Sequence, residues 1–291
     1  MKNKILSFIT SCVLVIPILA QAVPTQNLWE VAALGTQPAV TQVSLMGYNG
    51  AIPATLETMW PESAVYTPLT TAMSSPYCAS SSANDTSAGT GARTINVSGI
   101  DTSFAAFSET VTLNGQSSVN LATANILLIN SMEVLTAGSG GLNAGIIQCG
   151  TGANTLGDPA VTHSYMPVSS QTAVAGAGNK TLSFIYGVPA GYTLLCRNIS
   201  AGSTFTTAAS SLQIVVDGYT NLGLQKRFFE QAVHNTGSNP SMSTTIVKFP
   251  EKTIITGMLA GPTGANTGPA TLTADCLKIN NAYLDQPGGI L

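Results

Sequence analysis

Two histidines, His163 and His234, are the whole imidazole complement of the 291-residue chain, so acid–base or nucleophilic machinery must be built on one of them or on paired carboxylates. His163 lies near Pro and Ser residues and His234 beside Asn235-Thr236-Gly237; neither belongs to a nucleophile motif, and both read as loop histidines. No Gly-x-Ser-x-Gly elbow occurs, and Gly176-Ala177-Gly178-Asn179-Lys180-Thr181 lacks phosphate-loop spacing and reads as a turn. Glu57 and Glu62 flank Trp60, a pattern by which two acids and an indole can line a sugar cleft. The competing reading places Trp60 in a core, where its large apolar area is best used. Asp85 and Asp101 are loop carboxylates that Ca²⁺ could use, but the alternating oxygen ligands of a calcium loop are absent, and bonding to local backbone accounts for both. These residues predict no catalytic group, no metal and no cofactor.

Cysteines offer the remaining chemistry. Cys78, Cys149, Cys196 and Cys276 follow a fifth, Cys12, that lies in an apolar leader. None forms a CxxC pair, and two histidines are too few to complete a zinc set. Four cysteines in an exported chain predict two disulfides, with three pairings open; four buried thiols are the alternative. Four Asn-x-Ser/Thr sequons, at Asn84, Asn96, Asn179 and Asn198, matter only where secreted asparagines are glycosylated.

Export is read from the first 22 residues. Met1-Lys2-Asn3-Lys4 is basic, Ile5 to Ala20 is a short apolar run, and Ala20-Gln21-Ala22 is a small-residue cleavage site, so a signal peptide with cleavage after Ala22 is expected. The run is shorter than the ~20 residues of a membrane span, and no later stretch qualifies. Removing it leaves eight Lys and Arg (10 less Lys2 and Lys4) against 13 Asp and Glu, a net −5. A chain that is 44% hydrophobic and 8% charged is not disordered, and its acidic balance implies no nucleic-acid partner.

What would position these residues is a set of strands. Lys and Glu, which usually fill exposed helix faces, are scarce, and short β-branched runs recur between Gly, Asn and Pro. The fold class predicted is all-β. Thr94–Ser98 and Glu109–Leu113 alternate apolar with polar residues. Asn114-Gly115 suits a hairpin turn returning through Val119–Leu121. Ile126–Ile129 is a continuous apolar run, as in a strand covered on both faces, and Gly138–Gly141 is a turn. Thr181–Val188, Pro189-Ala190-Gly191 and Tyr192–Cys196 predict a second hairpin. Ser211–Val216, Thr244–Phe249, Thr253–Ile255 and Thr271–Ile279 add strands, with a helix expected only over Gln225–Gln231. Strand spacing favours two tandem β-sandwich or jelly-roll-like domains. The organisation expected is a signal peptide at 1–22, an extended N-terminal arm at 23–59, and sandwiches at 60–155 and 156–291, the boundary falling in the loop-rich stretch 150–175.

Several segments carry a resemblance. Ser82–Thr94, Gly99-Ile100-Asp101, Ser108–Gly115, the Gly-rich Leu135–Gly145, Tyr186–Thr193 and Phe249–Thr253 together resemble, over about residues 45–280, a family of uncharacterised virion structural proteins of tailed phages and large aquatic viruses. The resemblance implies a non-enzymatic building or decorating role. Sparse charge points the same way, because walls of Thr, Ser, Asn, Gln and Ala lose water more cheaply than charged ones. The expected function is a structural or decorating subunit of a virus particle or an extracellular surface assembly, self-associating or contacting neighbouring subunits. The alternative is a secreted carbohydrate-binding or adhesive module with glycan partners, whose signature is a row of exposed aromatics among the chain's 8 Phe, 8 Tyr and 2 Trp.

Overall fold

A computed structural model describes residues 27–51, 54–62, 64–168, 179–203, 210–220, 224–235, 241–243, 245–261 and 269–284. The leader, its cleavage point after Ala22 and Cys12 lie outside the described residues. A short helix α1 (Leu28–Leu34) precedes β1 (Val40–Asn49), β2 (Glu57–Thr58) and β3 (Tyr77–Ser80). There follow β4 (Ala92–Asp101), β5 (Ala106–Thr112), β6 (Val119–Asn120), β7 (Ile126–Ala137), β8 (Ile147–Thr155) and β9 (Asp158–Met166). The chain continues through β10 (Ile185–Gly187), β11 (Tyr192–Ser203), β12 (Ser210–Thr220), β13 (Gln225–Asn235) and β14 (Ser241–Ser243). It closes with β15 (Val247–Phe249), β16 (Thr253–Ala260), β17 (Ala270–Asn280) and α2 (Asn281–Leu284). The fold is all-β.

Strands assemble into four antiparallel sheets in two packed pairs. In the first block the order β6-β3-β8-β9 faces β5-β4-β7 across a core that includes Ile95, Val97, Val111, Ile126, Ile129, Met132 and Ile147. In the second block β1-β17-β11-β14, with β15 also on β11, faces β10-β16-β12-β13, with β2 on β16. Leu45, Phe184, Leu194, Ile214, Val216, Phe249, Ile255 and Leu272 are among the residues that fill the space between them. A third cluster joins the blocks: Ile100, Phe104, Leu127 and Leu128 of the first meet Ile185 and Ile254 of the second, with Trp60 and Tyr66 from the connecting segment. This explains the apolar run at 126–129. Ile126 and Ile129 point into the first core while Leu127 and Leu128 point at the neighbouring block.

The blocks are also stitched by polar bonds. The Gly187 N–H donates to Asn130 Oδ1 at 2.7 Å, and Asn130 Nδ2 donates to the Gly187 carbonyl at 3.1 Å. A Cβ on Gly187 would run into the side chains of Ile100 and Leu128, so glycine permits this approach.

Five sequence expectations are corrected. The segment assigned to an extended arm at 23–59 contains β1, which pairs with β17 along its whole length, and β2, which pairs with β16. It also contains α1, capped by the Asn27 side chain and ended by Gly35 in the left-handed conformation, and packed with α2 over Val40, Leu195, Leu277 and Ile279. A boundary at 155/156 cuts the β8–β9 hairpin, because β9 belongs to the first block. Asn114-Gly115 does not close a hairpin. Gly115 has φ +61 as expected of a turn, but the chain crosses from β5, paired to β4, into β6, paired to β3. Pro189-Ala190-Gly191 likewise carries the chain from β10, on β16, to β11, on β17, in the opposite sheet. Gln225–Gln231 is strand, not helix: β13 pairs with β12, and a bulge opposite Val216/Asp217 inserts Phe228 as an extra residue. Phe228 and Phe229 therefore both pack on the second core, Phe228 against Phe249 with ring centroids 4.8 Å apart.

Candidate functional site

The two histidines lie on different strands, in different blocks. His163 is placed in β9 rather than in a loop, is 7% exposed, and has Thr151 Oγ1 3.4 Å from Nε2. Burial lowers its pKa, so the unfolded chain binds a proton more readily than the native one. Stability attributable to His163 is therefore expected to be complete above the ordinary histidine pKa and to fall as pH drops through it toward the lowered native value. Denaturant unfolding from pH 8 to pH 5 should show a slope that His163→Gln reduces; an identical slope in the variant would exclude the assignment. His234 is on β13, in another block.

Trp60 is 4% exposed, donates its indole N–H to the Ala64 carbonyl at 2.7 Å and meets Tyr66 edge-on at 5.4 Å. It is a core residue. Its flanking acids part company. Glu57 accepts from Asn49 Nδ2 at 3.4 Å, while Glu62 lies near Asp158 and has a raised pKa, through desolvation first and the charge of Asp158 second. Desolvation, then Glu62 and Asp158, also raises the Tyr165 phenol to about 12. Among the described residues no three His, Cys, Asp or Glu side chains gather as a metal site.

Both loop aspartates bond backbone, one of them far beyond its own turn. Asp101 Oδ1 accepts from the Ser103 and Ala105 N–H groups, each at 2.8 Å, which shapes the turn placing Phe104 at φ +62. Asp85 has no exposed surface. Its carboxylate accepts from Ser80 Oγ (2.5 Å), the Ala92 N–H (2.7 Å) and the Ala144 and Gly145 N–H groups (each 2.8 Å), and its carbonyl accepts from Gly115 N–H (2.7 Å). The Gly-rich turns of the first block are thus tied to one buried side chain.

The four cysteines form Cys78–Cys149 and Cys196–Cys276. Each bond joins in-register neighbours on adjacent strands, β3 with β8 and β11 with β17, so each block has one sheet bridged across its central strand pair. Of the sequons, Asn179 and Asn198 have φ +73 and +54, and their amide groups donate to the Gly141 carbonyl and to Asp275 Oδ2. Tolerance of the left-handed region accounts for asparagine at both. Asn96 accepts from Ser108 Oγ, and Asn84 is exposed. Arg227, in the basic pair beside Phe228, bonds buried Asp217 at 3.1 Å.

A cavity of about 410 Å³ opens between the blocks. Thr67–Thr70, Thr102, Ser103, Phe104 and Leu127 form one wall, and Tyr219, Thr220, Lys252 and Ile254 the other. The lining has one cation and several hydroxyls, and the carboxylate beside Ser103, Asp101, is engaged by the Ser103 and Ala105 N–H groups.

The outer face of the β5-β4-β7 sheet has a different character. Its cross-strand register aligns Thr112, Thr94 and Thr136 in one row, Thr110, Asn96 and Glu133 in the next, and Ser108, Ser98 and Ser131 in a third. The hydroxyls engage one another: Thr94 with Thr136 at 2.6 Å, Ser98 with Ser131 at 2.8 Å, and Ser108 with Asn96 Oδ1 at 2.7 Å. The result is a wall of mostly short polar groups in which Glu133 is the one charged member of the three rows. No sequence pattern beyond alternation identified this wall; the signal was Thr, Asn and Ser at every second position of Thr94–Ser98.

These features define an all-β chain of two disulfide-bridged sheet pairs. No protein-family model matches the chain, and no curated protein matches it. Among solved structures it is similar to the VP2 subviral particle of infectious bursal disease virus, with 9% identity and a TM-score of 0.23, covering 91% of this chain and 80% of that one. The structure of the Gx strain of the same virus gives 9% identity and a TM-score of 0.24, covering 87% and 74%. Superpositions this loose carry no argument about fold or role. No helix among the described residues is long and apolar enough to cross a membrane.

Proposed function

We propose that the chain is a non-enzymatic structural or decorating subunit of a virus particle or extracellular surface assembly, with each sheet pair acting as a rigid β-sandwich. The observation that carries this reading is the wall of eight hydroxyl and amide side chains around Glu133 on the first block. Neutral side chains already bonded to one another lose little on desolvation and little entropy on contact, which suits a lateral subunit contact better than chemistry. Two disulfides support an oxidising compartment and hence export. The sequence resemblance to virion structural proteins points in the same direction. A sugar-binding module needs exposed aromatics in a row, and among the described residues every Trp, Tyr and Phe is buried or half-buried.

Size-exclusion chromatography with light scattering on the oxidised protein tests the proposal. A closed oligomer whose population rises with concentration is expected. Turnover in a broad hydrolase screen, or saturable binding on a glycan array by a strictly monomeric protein, would replace the proposal with one of its rivals.

A further inference from the structure

The cavity between the two blocks has walls of unequal character. Phe104, Leu127 and Ile254 are buried apolar residues, while Thr67, Thr70, Thr102 and Ser103 are exposed. An apolar floor under a rim of hydroxyls suits a molecule with an apolar body and a polar end, and about 410 Å³ is the size of a small-molecule site. Lys252 is the charged residue of the lining. Both ion pairs among the described residues are made by Arg227, so the Lys252 ammonium has no carboxylate within ion-pair reach there. The two nearest acids in sequence to the walls are used elsewhere: Glu251 accepts from the Gly191 N–H, and Asp101 from the Ser103 and Ala105 N–H groups.

The backbone on both walls is held in a costly form. Phe104 has φ +62 and Lys252 φ +57, the left-handed region that a Cβ disfavours, that glycine enters freely and that asparagine tolerates. Hydrogen bonds fix both positions across the junction. The Ala190 N–H donates to the Phe104 carbonyl at 2.8 Å, the Lys252 N–H to the Val188 carbonyl at 3.0 Å, and the Val188 N–H to the Thr253 carbonyl at 2.8 Å. Segment 188–190 therefore ties the turn at 101–105 in the first block to the turn at 252–253 in the second, and the space between them is formed in advance. Strain of this kind gathers at ligand clamps. A turn alone would be better served at 252 by asparagine; lysine adds an ammonium beside the cavity.

We propose that this cavity binds a small organic monoanion, its apolar body on Phe104, Leu127 and Ile254 and its carboxylate on Lys252 and the rim hydroxyls. Charge and floor together select that class. A neutral molecule of the same shape leaves the ammonium without a partner, and inorganic phosphate leaves the apolar floor unfilled. Because the walls belong to different blocks, the bound molecule also holds the blocks together and stabilises the folded chain by mass action. The site goes beyond the structural-subunit reading and needs no assembled particle.

Calorimetric titration and methyl NMR with octanoate on the oxidised chain test this. One octanoate per chain should bind saturably and shift the methyl signals of Leu69, Leu127 and Ile254, and octanol should bind about tenfold more weakly. Lys252→Asn suits the left-handed backbone, so its unfolding midpoint should equal or exceed that of wild type while its affinity for octanoate falls about tenfold, to that for octanol. Lys248→Asn, at an exposed position on β15, should leave both affinities unchanged. Equal affinity of wild type for octanoate and octanol, a preference for octanoate that survives Lys252→Asn, methyl shifts confined to residues outside the cavity, or no saturable binding would each overturn the site. These readouts do not depend on oligomeric state, so their failure leaves the structural-subunit reading standing, and light scattering decides that reading separately.

Discussion

Asp85→Ala is expected to cost about 4 kcal/mol of stability, read as a lower denaturant midpoint at neutral pH. Asp85 lies wholly out of solvent and satisfies the Ser80 hydroxyl and the N–H groups of Ala92, Ala144 and Gly145. Alanine removes the shared acceptor and leaves those donors in a dry interior, where each unsatisfied group costs about 1–3 kcal/mol before relaxation. Asp85→Asn keeps one acceptor but turns an amide N–H₂ toward N–H donors, so its loss should fall between wild type and alanine. A change in Asp85→Ala below about 1 kcal/mol would show that these bonds do not organise the loops.

Removing Cys78–Cys149 by paired alanine substitution should cost a comparable amount. The bond spans 71 residues and Cys196–Cys276 spans 80, and the loop-closure model assigns about 4 kcal/mol to each. Both bonds are buried and link strands already paired in register, so their loss should lower the unfolding midpoint without changing the β-sheet spectrum of the folded protein. Thiol titration of the unfolded oxidised mature protein should find no free thiol among the four cysteines. A free thiol pair, or a paired-alanine variant as stable as wild type, would contradict this pairing.

Strands were legible wherever one face is buried. Thr94–Ser98 alternates because Ile95 and Val97 enter the core while Thr94, Asn96 and Ser98 face outward, and the observed β4 follows that pattern. Sheet membership was not legible. A left-handed Gly115 serves a hairpin and a crossover equally well, and the choice is made by long-range bonds, Gly115 N–H to the Asp85 carbonyl and Ser80 N–H to the Gly115 carbonyl. Strand β1 escaped notice because both of its faces are covered in part. Leu45 points inward and Val40 lies under the terminal helices, which hides a period of two. Strand β13 was masked by its bulge, which sets two phenylalanines side by side. Helix α1 had a readable signature in Asn27 and Gly35 bracketing Leu28–Leu34. The role of Asp85 could not be read locally, since two of its donors lie 59 and 60 residues away.

Assembly through outer walls is the central claim, and sedimentation velocity of the oxidised mature chain across nanomolar to high micromolar concentration addresses it most directly. The expected result is a reversible shift from a monomer boundary to one discrete, faster oligomer boundary as concentration rises. A single monomer boundary over the whole range would contradict it.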